Sequence, residues 1–220
     1  MYKRQGKKLL VYPACKEDSS YAILNGTEEI ADGAISGDVY WSNSFLTSIS
    51  IPGSVEKIPN TMFLFCENLS QIDLAEGIKE VDSSAFWLCP ALKRVEIPAS
   101  VTRFTAEVGA ADDWLSGDDG LLDIYFRGSS APEFDAAVCE TRSSSGKVVV
   151  YYPVSASGWD AVQAQEDVKA AVAEETLEFR TWEPTQTEPD DTLHVKFEYP
   201  SMTTGDYAVS YTHLTLPTNS

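Results

Sequence analysis

The 220-residue sequence predicts a repeat solenoid, a β-rich leucine-rich stack ended by a C-terminal strand-helix-strand cap. Three observations carry this expectation. The first is a 23-residue period. Ile51-Pro52, Leu74-Ala75 and Ile97-Pro98 share one phase, Val55, Ile78 and Val101 a second, and Ile58, Val81 and Phe104 a third. The pairs Phe63/Phe86, Cys66/Cys89, Leu69/Leu92 and Ile72/Val95 complete the register. A period of about 20–29 residues with Leu and Ile at fixed phases marks a leucine-rich solenoid, in which each unit is too small to bury its apolar face alone. The second is that the departures from the period are confined to one phase. The third is that after residue 127 the pattern changes to strand, Ala-rich helix and strand, which suits a cover for the last open face of a stack.

Leu9-Leu10-Val11-Tyr12-Pro13-Ala14 leads into the first unit, where Ile23, Thr27, Ile30 and Ala34-Ile35 mirror Ile51, Val55, Ile58 and Met62-Phe63. Leu46, Ile49 and Ile51 mirror Leu69, Ile72 and Leu74. This unit is five residues longer, and the excess lies between Gly37 and Phe45. Two compact units follow. Leu121, Ile124 and Phe126 then repeat the Leu-x-x-Ile-x-apolar phrase, delayed by the insertion at residues 107–120. Insertions at one phase map to one edge of a stack, often its binding edge.

The unit, Ile-Pro-x-x-Val-x-x-Ile-x-x-x-x-Phe-x-x-Cys-x-x-Leu-x-x-Ile, resembles the BspA-type leucine-rich repeat over about Leu9 to Phe126. Ala85-Phe86-Trp87-Leu88-Cys89 and Leu92-Lys93-Arg94-Val95-Glu96-Ile97-Pro98 are its clearest carriers. The resemblance implies a bacterial or protozoan surface or secreted protein that adheres to host or matrix components without catalysing a reaction. The 23-residue spacing by itself implies only a stack.

In the expected organisation the leucine-rich solenoid occupies residues 6–127, and a capping region occupies residues 128–182. The second begins with an irregular Ser- and Ala-rich stretch (128–146). Lys147-Val148-Val149-Val150-Tyr151-Tyr152-Pro153 is a strand by its unbroken β-branched and aromatic run. Residues 159–175 form an Ala-rich helix, and Leu177-Glu178-Phe179-Arg180-Thr181-Trp182 a closing strand. An acidic, Pro-containing linker spans 183–191. The alternation of Leu193, Val195, Phe197 and Tyr199 then opens a second β-rich module over 192–208. Residues 1–5 and 209–220 look like translations of a sequencing adapter, one per strand, on a fragment of a longer metagenomic protein. They are expected to have no defined place in the fold, and the native N-terminal signal is expected to be missing.

The formal charge of −18 argues against nucleic acid and anionic lipid as partners. No run approaches the ~18 apolar residues of a membrane span. Catalysis finds no support: of the two histidines, His213 lies in the adapter-like tail and His194 beyond the linker, so no nucleophile has a base beside it. No phosphate loop or His/Cys metal spacing occurs, and no cofactor is expected. Asn25-Gly26-Thr27 and Asn68-Leu69-Ser70 match the glycosylation triplet but read as incidental, Leu69 being at a core phase. Cys66 and Cys89 fall on adjacent rungs about 4.8 Å apart, close enough for a disulfide, but they read better as a ladder of buried thiols. Cys15 and Cys139 have no phase partner.

What remains as a candidate site is a surface. In the Leu-x-x-Ile-x-Ile phrase the apolar positions point inward, leaving two outward columns: Ser48, Gln71, Arg94 and Asp123, and Ser50, Asp73, Glu96 and Tyr125. The insertions add Tyr40, Trp41 and Phe45 on one side and Trp114 on the other. Exposed aromatics beside a polar sheet suit a protein or glycan ligand; alternatively these rings fold back and pack the longer loops. Two functional classes follow: a non-enzymatic, surface-exposed adhesion or binding module, and a structural spacer or accessory domain of a larger secreted enzyme.

Overall fold

Each 23-residue unit folds into two short strands and a tight corner, because its apolar positions fall in two alternating phrases separated by turn residues. The computed structural model describes residues 7–13, 16–36, 43–106, 121, 123–137 and 147–183 in full, and residues 3–5 and 138–139 by their backbone alone. In chain order the strands are β1 (Lys3–Gln5), β2 (Lys8–Val11), β3 (Ser20–Ala22), β4 (Glu29–Ile30), β5 (Ser48–Ile51), β6 (Lys57–Ile58), β7 (Gln71–Leu74), β8 (Glu80–Asp82), β9 (Arg94–Ile97), β10 (Arg103–Thr105), β11 (Asp123–Phe126), β12 (Glu133–Phe134), β13 (Val148–Pro153) and β14 (Leu177–Trp182). Two helices, α1 (Trp159–Gln163) and α2 (Glu166–Ala173), lie between β13 and β14.

Equivalent strands of successive units pair in parallel, so the sequence period becomes a spatial ladder. The Leu-x-x-Ile-x-apolar strands form the parallel runs β3-β5-β7 and β9-β11-β13-β14, with β7 lying beside β9. Ile49 pairs with Ile72, and Val95, Ile124, Val150 and Phe179 continue that inward column. The second phrase forms the parallel sheet β6-β8-β10-β12, whose inward column is Ile58, Val81, Phe104 and Phe134. All of these inward residues are buried except Phe179, which packs partly buried against the core.

The corner between the two strands is set by backbone geometry repeated at the same phase. Phe65 and Leu88, 23 residues apart, both adopt left-handed φ values, 61° and 53°. Cys66 and Cys89 follow them, both buried and not joined in a disulfide. Their thiols face carbonyls of the preceding unit, Cys66 toward Ile35 (3.5 Å) and Cys89 toward Phe63 (3.1 Å). Asn43 holds the same phase one unit earlier. Buried, it donates from Nδ2 to the Ile35 carbonyl (3.2 Å), and its Oδ1 accepts from Leu46 N–H (3.4 Å). A lone polar side chain is tolerated at this core position because both ends of its amide are satisfied.

Serines clamp alternate turns. Ser54 Oγ accepts from Gly26 N–H (3.1 Å) and donates to the Thr27 carbonyl (2.8 Å). Ser100, two periods later, does the same to Gly77 N–H (2.9 Å) and the Ile78 carbonyl (2.7 Å). Between these clamped pairs the backbones of Gly53 and Gly77 meet directly.

Three expectations change. Residues 3–5, expected to have no defined place, pair antiparallel with β2, itself parallel to β4. The stretch at 128–146 is not wholly irregular: Glu133–Phe134 joins the second sheet, because Phe134 supplies the next ring of its buried column, 5.8 Å from Phe104 and stacked on it. The expected single helix over 159–175 is two. Trp159 and Val162 are buried on α1, and Val168 and Ala171 on α2. Val162 and Val168 are six residues apart, about one and two-thirds turns, so one continuous helix would turn the second pair away from the core. Gln165, extended at φ −68° and ψ 146°, resets the phase. Trp159 sits at the centre of a ring cluster with Phe126 (5.0 Å), Tyr152 (4.8 Å), Phe179 (6.0 Å) and Phe134 (6.2 Å). Cys139 lies in a 3-10 helix, Ala136–Cys139. Cys15, the linker beyond Glu183 and the module expected from 192 lie outside the described residues.

Candidate functional site: the outward face of the parallel sheet

Strand pairing converts the outward positions into two straight columns. One runs Ser20, Ser48, Gln71 and, beyond the β7/β9 junction, Arg94, Asp123, Val149, Glu178. The other runs Ala22, Ser50, Asp73 and then Glu96, Tyr125, Tyr151, Arg180. The sequence-derived candidates Ser48, Ser50, Gln71, Asp73, Arg94, Glu96, Asp123 and Tyr125 therefore share one face. Phe45, before β5, is 43% exposed. Tyr40, Trp41 and Trp114 lie outside the described residues.

The chemistry of the face changes along its length. From β3 to β7 it is small and polar, with Gln71 Nε2 donating to the Asp73 carboxylate at 3.3 Å. From β9 onward it becomes a stack of guanidinium and aromatic planes. Arg94 lies over the Tyr125 ring (3.8 Å), and Tyr125 stacks on Tyr151 at 4.2 Å and 4°. The Trp182 ring meets Tyr125 edge-on at 6.0 Å, and Arg127 covers Trp182 at 4.5 Å. Trp182 Nε1–H donates to the Phe126 carbonyl (3.3 Å), which fixes the indole's orientation. Parallel pairing at about 4.8 Å brings consecutive rings close to stacking distance without further adjustment.

Two candidates are not exposed. Tyr125 is 5% exposed because Arg94, Tyr151 and Trp182 enclose it. Ser50 is 4% exposed, a short side chain set between Ala22 and Asp73 in the same ladder. Neither can supply much contact area. Ser48, Gln71, Asp73, Arg94, Glu96 and Asp123 are half-buried. The sequence reading missed Tyr151, Arg127, Trp182, Glu178 and Arg180, because it treated 148–153 and 177–182 as a separate cover. Alternation in Val148-Val149-Val150-Tyr151, with buried Val148 and Val150 inward, carried the signal that these strands extend the face.

Glu96 ties the cluster together. Arg94 Nη2 donates to Oε1 (2.9 Å), and Arg127 donates from Nε (3.0 Å) and Nη2 to Oε2. Burial pushes the Glu96 carboxyl up, but hydrogen bonds and charge from Arg127, and then Arg94, outweigh it and hold the group below the usual carboxylate range. A carboxyl with a depressed folded-state pKa contributes stability above its unfolded pKa and loses it as pH falls through the folded value. Glu96→Gln should therefore cost about 1–2 kcal/mol near neutral pH, with the deficit vanishing in acid below the ordinary carboxylate range. Thermal melts of both proteins across that range check this; a deficit independent of pH would contradict it.

Among the described residues, no three His, Cys, Asp or Glu side chains gather as a metal site, and no helix is long and apolar enough to cross a membrane. Residues 27–108 match the family described as BspA type leucine rich repeat region. These residues belong to the BspA-type leucine-rich repeat family. The fold around the BspA-type repeats is correspondingly repetitive and β-rich. It is similar to a leucine-rich cell surface protein from Faecalibacterium prausnitzii A2-165, at 26% identity and a TM-score of 0.52, over 75% of this chain and 41% of that one. The pneumococcal vaccine antigen PcpA aligns at 16% identity and a TM-score of 0.47, over 83% of this chain and 46% of that one. The chain thus spans less than half the length of either solved chain. No curated protein matches the sequence at a significant level.

Proposed function

We propose that this chain is a non-enzymatic, surface-exposed module that binds a protein or glycan through the β9–β14 half of its outward sheet face. In this reading the repeats are a solenoid, the segment from β13 to β14 is its cap, and the cap carries part of the binding surface. The observation that bears most weight is the guanidinium–aromatic stack of Arg94, Tyr125, Tyr151, Trp182 and Arg127, set on a rigid parallel sheet. Aromatic and Arg side chains held in fixed orientation lose little entropy on binding and dominate interface energetics. The cell-surface relative supports placement outside the cell.

Trp182 and Tyr151 are partly exposed and replace the buried Tyr125 as the expected anchors. Binding of the purified chain to glycan arrays and to immobilised extracellular-matrix proteins, followed by titration of any ligand found, tests the reading. Trp182→Ala and Tyr151→Ala should each weaken that binding by about 2 kcal/mol, roughly thirtyfold, while Phe45→Ala leaves it unchanged. Unchanged affinity in both ring variants would move the site off this face, and a screen that finds no ligand would favour the spacer or accessory role.

A further inference from the structure

β14 is the outermost strand of the β9-β11-β13-β14 sheet among the described residues. Among the described residues its backbone pairs on one side only, with β13. Val148 N–H donates to the Thr176 carbonyl and Val154 N–H to the Trp182 carbonyl. In a regular parallel ladder this phase turns residues 176, 178, 180 and 182 toward β13 and leaves the N–H and C=O groups of Leu177, Phe179 and Thr181 facing away from the sheet. Unpaired edges of this kind template further strands.

The side chains specify which strand. Glu178 and Arg180 alternate on the outer face, 32% and 53% exposed, and hydrogen-bond to each other at 2.7 Å. A two-fold axis through Phe179 would pair β14 antiparallel with a second β14. The free backbone groups would then match as 179 with 179, and 177 with 181. In the same register each Glu178 lies directly opposite the Arg180 of the other copy, in the closer, non-hydrogen-bonded pairs. A register shifted by two residues along one copy still matches free backbone groups, but it sets Glu178 opposite Glu178 or Arg180 opposite Arg180. We infer that two copies of this chain associate edge to edge through β14, forming one sheet continuous across the two-fold axis. This inference does not rest on the ligand-binding reading: the backbone edge of β14 carries it, and Glu178 and Arg180 of the outward face set its register.

Sedimentation equilibrium of the full 220-residue chain should show a concentration-dependent dimer. Thr181→Pro removes one outward N–H at an exposed position not used by β13, and should abolish the dimer while leaving the melting temperature nearly unchanged. Glu178→Arg and Arg180→Glu each place like charges opposite one another across the axis, and each should weaken self-association by about tenfold or more. Mixing the two variants should restore association as a heterodimer, since arginines at both positions then face glutamates at both positions. That recovery distinguishes charge pairing from simple misfolding. A chain that stays monomeric at every concentration, a dimer that survives Thr181→Pro, or variants that fail to recover on mixing would each overturn the inference.

Discussion

Gly53→Ala is expected to destabilise the fold by about 3–5 kcal/mol. A Cβ at Gly53 would lie 1.8 Å from the Glu76 carbonyl oxygen and 2.8 Å from its carbon. Both are backbone atoms, so no rotamer change relieves the overlap and the two turns must separate. Separation is opposed from several directions. The Ile51 carbonyl accepts from Ala75 N–H (3.0 Å), and the Glu76 carboxylate accepts from the N–H groups of Ala99 (2.9 Å) and Ser100 (3.0 Å). Gly77 faces the contact from the other side at φ 116°, where its own Cβ would lie 2.4 Å from the Gly53 oxygen. Urea unfolding of Gly53→Ala beside the unchanged chain measures the effect. A loss under 1 kcal/mol would mean that the turns part easily.

The inward half of this architecture was legible in the sequence because burial is periodic. Ile49, Ile72, Val95 and Ile124 share a phase and a hydrophobic character, and pairing followed from the period alone. The backbone contact at Gly53 was not legible. It pairs Gly53 with Glu76 and Gly77, and only one of the two turns carries Gly at each of those phases. The clamps by Ser54 and Ser100 leave a fainter trace, two serines separated by two periods, with a glycine between them. Asn43 hid for a different reason. It stands one period before Cys66, but it falls within the stretch read as an insertion, and its polar side chain disguised a core position.

The outward face was half legible. Alternation placed Arg94, Glu96, Asp123 and Tyr125 together, yet alternation alone cannot say whether an outward ring is exposed. Tyr125 is enclosed because its neighbours on both sides present flat groups at stacking distance. One of those neighbours, Tyr151, comes from a segment without the repeat motif. Exposure on a parallel sheet is a property of the whole column, and a column can include strands that the period does not predict.

Phe86→Ala is expected to cost about 3–5 kcal/mol, the range for deleting a large buried aromatic. Phe86 is 2% exposed and closes a 3-10 helix, Ser83–Phe86, that the Asp82 side chain caps by accepting from Ser84 N–H (3.0 Å). Its ring stacks on Phe63 of the preceding unit at 6.1 Å and 14°, and the backbone reinforces the contact through Phe63 N–H donating to the Ala85 carbonyl (3.0 Å). Truncation therefore opens a cavity between two units rather than within one, and Phe63, fully buried, loses the partner on that side of its ring. The stacked pair should also couple. Phe63→Ala and Phe86→Ala together should cost less than the sum of the single losses, by about 1 kcal/mol, because the second truncation removes a contact already broken. Phe45→Ala, at a ring 43% exposed, is the matched control and should change stability by no more than about 0.5 kcal/mol. Denaturant unfolding of the two single variants, the double variant and the control completes the test. Strict additivity would show that the units bury these rings independently, and the stacking of one rung on the next would not be what holds this corner together.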